Sequence, residues 1–288
     1  MQTGPRDSGP ALSFAKADPF INTMKLHPFQ RRLVQENYAV NTVRAYLGAL
    51  RGFQARYRDL NKQNLLDYRA SLIDSYKPKT VNVRIRGINK YLEFTGKPEL
   101  KIKSVKMAEV SFLDNVISNE DYRRFKRKLR REPDQRWYFI VWCLAATGAR
   151  ISELVRFRVE DIRAGYVDIC SKGGKIRRLY IPTQLRTEML RWLDRDSGYL
   201  FLNRYGEPLT PRGIAKRLKD FATLYGLDPG VVHPHSFRHL FAKNFLERSS
   251  DLALLSDLLG HEGLETTRLY LRKSRQEQNR LVEKIVDW

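Results

Sequence analysis

The 288-residue sequence predicts a mainly α-helical protein of two domains that carries one small β-hairpin. Three observations predict it. Apolar residues recur at three- and four-residue spacing through most of the chain. A Gly173-Gly174 pair is flanked by two runs that alternate polar with apolar residues, the mark of a hairpin. Between the two helical regions, Lys97 to Val116 holds several lysines and little periodicity, as a linker would.

Residues 1–24 are polar and broken by Gly4, Gly9 and Pro10, and read as a flexible leader without the apolar core of a secretory signal. Residues 25–97 read as a compact helical module. A first helix lies around Phe29 and Leu33. Asn41 is placed to cap a second, with Val43, Tyr46, Leu47, Leu50 and Phe53 on one face. Asn61 precedes a third through Leu65, Tyr68, Leu72 and Ile73, and Thr80 a fourth through Val81, Ile85, Ile88 and Leu92, closed by Gly96. After the linker, set at 98–116, Ser118 with Asp121 resembles a capping box and opens the second domain, 117–288. Its first helix contains RRFKRKLRR, seven basic residues in nine. GYVDIC and KIRRLYIP form the hairpin, YLFL at 199–202 suggests a further short strand, and Thr210-Pro211 is a helix start. Leu281, Ile285 and Trp288 share one side of a short terminal helix, which either packs on its own domain or docks into a neighbour.

Charge gives the first functional direction. Lys and Arg number 53 against 32 Asp and Glu, a formal +21, which calls for a polyanionic partner, nucleic acid above all. Arg44, Arg84, Arg123, Arg124, Lys126 and Arg127 are candidate DNA contacts. The longest apolar run, Tyr138 to Ala146, is too short to span a bilayer, so no membrane partner is expected and a cytoplasmic, nucleoid-associated location is. Cys143 and Cys170 both lie in apolar surroundings and read as buried thiols without zinc-site spacing.

Four motifs carry chemistry. ATGARISEL at 146–154 puts a break at Gly148 and then Arg150 and Glu153 in the first turn of a new helix, where an arginine can grip phosphate; alone, a surface pair is the plainer reading. SKGGK at 171–175 sets Lys172 and Lys175 on a turn, from which either could protonate a leaving oxygen, although an exposed turn lysine is the plainer reading. HPHSFRH at 233–239 places His235 and Arg238 on one helix face. Its His235 and His239 lack the further ligand a zinc site needs, so no metal is expected. LLGHEGLETTRLYLR at 258–272 supplies His261 and Tyr270 among core leucines, where a tyrosine taken singly is structural.

Together, TGxRxSEL, a lysine-bearing hairpin, HxxRH and LGHxxxxTTxxY resemble the tyrosine recombinase (phage integrase) family in order and setting, across essentially the whole chain. Phe237 stands where the family more usually has Leu, and Glu262 where a small polar residue is common. The layout is similar to minimal Xer, integron or transposon-borne recombinases, with no room before residue 25 for an arm-binding domain. The resemblance implies a helical core-binding (SAM-like) domain and a catalytic domain that close as a clamp on duplex DNA. It implies that Arg150, Lys172, His235, Arg238 and His261 surround the scissile phosphate, that Tyr270 is the nucleophile, and that Glu153 buttresses them. The product would be a 3′-phosphotyrosine link, resolved through a Holliday junction by a homotetramer on two recombination sites, with no cofactor, metal or ATP and with accessory proteins in some systems.

These residue types suit that chemistry. Guanidinium forks match phosphate and neutralise charge gathering in the transition state. A free tyrosine titrates near ~10, so a phenol nucleophile needs an acceptor and a positive field. A type IB topoisomerase would use the same chemistry to relax DNA as a monomer, and a non-catalytic DNA-binding regulator would share the charge and helical content.

Overall fold

The computed structural model describes residues 24–107, 115–170 and 176–260, together with Thr267, Tyr270, Asn279 and 282–286. The chain divides into two compact units, Met1–Glu109 and Val110–Trp288. Among the described residues it is mostly helical, with one two-stranded antiparallel sheet.

In the first unit, α1 (Leu26–Gln35), α2 (Val40–Gln54), α3 (Lys62–Ser75) and α4 (Pro78–Phe94) surround a core of Phe29, Leu33, Leu50, Phe53, Leu65 and Ile85. The apolar faces are those the periodicity marks, except that Ile73, expected on the inner face of α3, is exposed because it follows Leu72 directly and turns off that face. Two helix starts differ from expectation. Ala39 caps α2 and leaves Asn41 inside the first turn; α1 ends only four residues earlier, through a left-handed Asn37, and the backbone bond from Thr42 to Ala39 already begins the helix. Pro78, with its fixed φ and no N–H to lose, opens α4 ahead of Thr80. Asn61 does cap α3, accepting from the Asn64 N–H at 2.9 Å.

α2 and α4 cross closely because Gly87 has no side chain. A Cβ there would stand 2.8 Å from the Tyr46 Cα. On the same helix, two asparagines seven residues apart grip the segment that follows. Asn82 donates to the Val105 carbonyl at 2.9 Å and accepts from its N–H at 2.7 Å, while Asn89 makes the same pair with Ile102. Ile102 is buried with the helical core. Residues 98–107, expected to belong to a linker, are therefore built into the first unit; amide pairing replaces the periodicity that the segment lacks.

In the second unit, α6 (Arg136–Thr147) is apolar on nearly every face and forms the hub, packed by α5 (Asn119–Leu129), α9 (Thr183–Trp192) and α11 (Pro234–Ser249). The Ser118 hydroxyl caps α5 through the Asp121 N–H, and Thr210 caps α10 (Pro211–Leu224) through Gly213. Short α7 (Ile151–Leu154) and α8 (Val159–Ala164) lead to β1 (Tyr166–Cys170) and β2 (Ile176–Tyr180), paired with Val167 opposite Leu179 and Ile169 opposite Arg177. The hairpin tip, 171–175, lies outside the described residues. Residues 199–202 make no strand; Tyr199 and Leu202 form only isolated bridges, to Arg158 and Pro208. Helix α12 (Leu252–Leu259) precedes Gly260. Cys143 is buried, which pushes its thiol pKa up, but Cys170 is exposed at the end of β1 and corrects the expectation of two buried thiols.

Replacing Gly87 with Ala forces a methyl group against the α2 backbone and should destabilise the chain by on the order of 1–3 kcal/mol, read as a lower urea midpoint at unchanged denaturant slope.

Candidate active site

Two left-handed glycines end the helices that frame the site. Gly148 closes α6 at φ +65, where a Cβ would meet the Phe241 ring at 2.5 Å. Gly260 closes α12 at φ +61, where a Cβ would lie 2.7 Å from the Arg177 guanidinium. Each turn leaves carbonyls at a helix C-terminus, the negative end of the helix dipole. Arginines take them up. Arg177 Nε donates to Leu258 O at 3.0 Å, Arg238 Nη2 to Leu259 O at 2.7 Å, and Arg150 Nη2 to Gly260 O at 3.2 Å. Three successive carbonyls at the end of α12 thus hold three guanidinium groups.

Arg150 is the N-cap residue of α7. Its backbone N–H donates to Glu153 Oε2 at 2.7 Å and its Nη1 to Oε1 at 2.9 Å. A surface pair would end there, but Arg177 Nη2 also donates to Glu153 Oε2 at 2.7 Å, so one carboxylate joins two arginines and a helix start. Burial by itself would raise the Glu153 pKa. The bonds from Arg177 and Arg150 outweigh it and hold the carboxyl below the ordinary glutamate range.

Helix α11 brings the third motif. The His233 ring accepts from the Ser236 N–H at 3.1 Å and caps the helix, Pro234 occupies its first turn, and His235 is exposed. One turn on, Arg238 is only 2% exposed. Its Nη1 donates to Gly148 O at 2.7 Å, its Nη2 ends at Leu259 as above, and its guanidinium lies close to Tyr270. Burial pushes its pKa down to about 10, the nearby Arg150 charge adds to that, and Tyr270 opposes it; the group stays protonated at neutral pH. Tyr270 is 6% exposed, against Ala242, Leu246, Leu255 and Leu259. Its ring centre lies 5.0 Å from that of His239, which lies 4.3 Å from that of His235.

The structure therefore gathers Arg150, Glu153, Arg238 and Tyr270, with His235 one ring beyond. Lys172, Lys175 and His261 lie outside the described residues, as do Leu281 and Trp288 of the terminal helix, whose Ile285 is exposed. Among the described residues, no group of three His, Cys, Asp or Glu side chains could hold a metal ion. Two residues of the site were missed in the sequence. His239 was weighed only as a zinc ligand, although it stands four residues from His235 and so on the same helix face. Arg177 alternates in phase with Leu179, so it points to the buried face of the hairpin; a charge at an inward strand position was the available signal.

Of the other basic candidates, Arg44, Arg123 and Arg127 are exposed. Arg84 lies over the Tyr76 ring at 4.1 Å, and Arg124 donates to the Tyr225 carbonyl. The Lys126 ammonium sits 3.3 Å from the centre of the Trp142 ring, half-buried, and burial lowers its pKa to about 8.

Because the Glu153 pKa is depressed in the folded chain, its contribution to stability is present above the ordinary glutamate value and lost as pH falls through the folded one. Glu153→Gln should melt well below the parent chain at pH 7, and the gap should narrow below about pH 4. Parallel thermal melts across that range check the prediction.

The phage integrase family matches residues 115–277, more than half of the chain. Tyrosine recombinase XerA of Pyrococcus furiosus is 30% identical over an alignment of 272 positions that covers 90% of this chain and 93% of the relative. The TnP I resolvase of Bacillus thuringiensis is 26% identical over 88% of this chain and 97% of its own. Among solved structures, XerH bound to a palindromic difH substrate aligns with a TM-score of 0.67 at 19% identity, over 91% of this chain and 84% of that one. A lambda integrase dimer bound to a core site aligns at 0.69 and 16% identity, over 87% and 76%. At such identities the likeness speaks for the fold, and it agrees with what the sequences say. The chain belongs to the phage integrase family, the tyrosine recombinases.

Proposed function

We propose that this chain is a site-specific DNA recombinase that cleaves through Tyr270. The observation that carries the reading is the closeness of buried Arg238 to Tyr270, inside the cluster that also holds Arg150. A phenol beside two guanidinium groups is a nucleophile beside a phosphate clamp.

In this mechanism Arg150 and Arg238 bind the non-bridging oxygens of the scissile phosphate and offset the charge that builds there. The Tyr270 oxygen bonds to phosphorus, its proton passing to His235 directly or by way of His239. The bond to the 5′ oxygen breaks, and Lys172 donates the proton that oxygen needs, with Lys175 as the alternative donor. His261 hydrogen-bonds the phosphate or positions Tyr270. The 3′-phosphotyrosine link conserves the bond energy, so the partner strand's 5′ hydroxyl reverses the step without ATP or metal. Exchange proceeds through a Holliday junction, with four protomers on two sites and the terminal helix as a candidate contact between them.

Supporting a DNA partner, α2 contains no acidic residue and exposes Arg44, Gly48 and Arg51 along one stripe. We assign this stripe, Arg84, and the Arg123–Arg127 region to the duplex, so that both units carry DNA contacts. The nucleoid of the cytoplasm is the place where such a substrate is met.

A nicked duplex whose sequence is enriched from a randomised pool by binding to the chain provides the test. Cleavage near the nick releases a short fragment and traps the covalent adduct. Tyr270→Phe should bind the duplex normally and form no adduct; adduct of unchanged yield would exclude Tyr270 as nucleophile. Arg150→Ala should slow adduct formation by about 10²-fold or more with far less change in binding.

A further inference from the structure

Arg177 is the most deeply placed charge among the described residues of the hairpin, yet none of the four sequence motifs uses it. Its side chain is 9% exposed, at a position where strand alternation calls for an apolar residue. An arginine buried there without a task would be a poor exchange for leucine, since taking a charge from water costs several kcal/mol. Its contacts identify the task. Nη2 donates to Glu153 Oε2 at 2.7 Å and Nε to Leu258 O at 3.0 Å. The remaining Nη1 is buried without a hydrogen-bond acceptor among the described residues, and its end of the guanidinium rests against Gly260.

We propose that Arg177 is a positioning residue for strand cleavage: it fixes Glu153, and through Glu153 the aim of Arg150, while it holds the end of α12 from which the chain runs on to His261. The proposal rests on the recombinase reading. Its physical basis is that Glu153 has two oxygens and two arginine claims on them. Oε1 takes the Arg150 guanidinium, and Oε2 takes both the Arg150 backbone N–H and Arg177. With Arg177 in place the carboxylate is anchored to a residue outside α7 as well as to Arg150, so the Arg150 fork keeps a fixed partner. Without it the carboxylate keeps only its bonds from Arg150 and can shift together with that residue, and the end of α12, whose Gly260 carbonyl also holds Arg150, loses its tie to Arg177. Orientation errors of about an ångström at a catalytic group cost on the order of 10²-fold in rate. The same guanidinium spans from β2 to α7 and α12, so it also ties the strand that leaves the hairpin tip to the arginine cluster.

The test uses the full chain and the nicked duplex described above. Arg177→Met should bind the duplex within about twofold of the parent chain and form adduct at least about 10-fold more slowly in single turnovers. Arg177→Lys keeps a charge but cannot bridge Glu153 and Leu258 together, and should fall between the two. In the Glu153→Gln background the same Arg177→Met change should have much less effect on rate, because its route to Arg150 is already cut. A fourth measurement separates this role from an effect on the hairpin lysines. With a sulfur in place of the bridging 5′ oxygen, the leaving thiolate needs no proton, so a defect in the proton donor is relieved; the Arg177→Met defect should persist. Parent-like adduct rates in both Arg177 variants, additive effects with Glu153→Gln, or rescue by the sulfur substrate would each overturn the proposal while leaving the recombinase reading intact. If Arg177→Met does not fold, Arg177→Lys alone decides by the same criteria. Absence of adduct from the parent chain would instead overturn both.

Discussion

Like charges must be brought together and held in place, and the second unit is organised around that constraint. Arg150, Arg177 and Arg238 converge from three different elements on the end of α12, whose last carbonyls accept from all three. Each cation at a helix C-terminus is worth only about 0.3–1 kcal/mol at an exposed site, more when partly buried. The geometry matters more than the energy. Carbonyls fixed by a helix hold guanidinium groups in fixed directions, and a single carboxylate, Glu153, offsets part of their mutual repulsion. Preorganised charge of this kind needs no rearrangement when a phosphate gains negative charge.

Arg238 shows how far the arrangement goes. It is among the largest fully buried side chains, it spans from Gly148 to Leu259, and it also reaches Tyr270. One residue thereby ties the end of α6, the end of α12 and the tyrosine to α11. The two glycines that expose these carbonyls are forced by the same closeness, since a side chain on Gly148 would strike Phe241 and one on Gly260 would strike Arg177. Removing a partner from such a cluster leaves a buried charge uncompensated, on the order of 3–5 kcal/mol for a buried pair. Stability therefore rests on the same side chains to which the proposed chemistry is assigned.

The first unit solves a simpler problem. Its four helices bury one apolar face each, and Gly87 lets α2 and α4 approach closely. Asn82 and Asn89 then satisfy the backbone of Ile102 and Val105 as a neighbouring strand would, which anchors a segment with little apolar content of its own. The outer face of α2 remains free of acidic residues, consistent with an overall charge of +21.

Much of this was legible in the sequence. Helical spacing marks the core faces, Asn61, Ser118 and Thr210 announce their caps, Gly148 its break, and the hairpin its strands, because each of these depends on neighbours a few residues away. The motifs around Arg150, Arg238 and Tyr270 were legible as local patterns. Capping of α2 and α4 was not, since the preceding turn and Pro78 decided it, and neither was the exposure of Cys170 at a strand end. What the sequence determined by itself is the local geometry, the charge and the residue types that could meet a phosphate. Only the tertiary structure decided that Glu153 faces Arg177 as well as Arg150, that 98–107 joins the helical core, and that His239 stands between His235 and Tyr270. Those are contacts between side chains distant in sequence or set by helix packing, and no local period encodes which long-range partner a buried polar group will find.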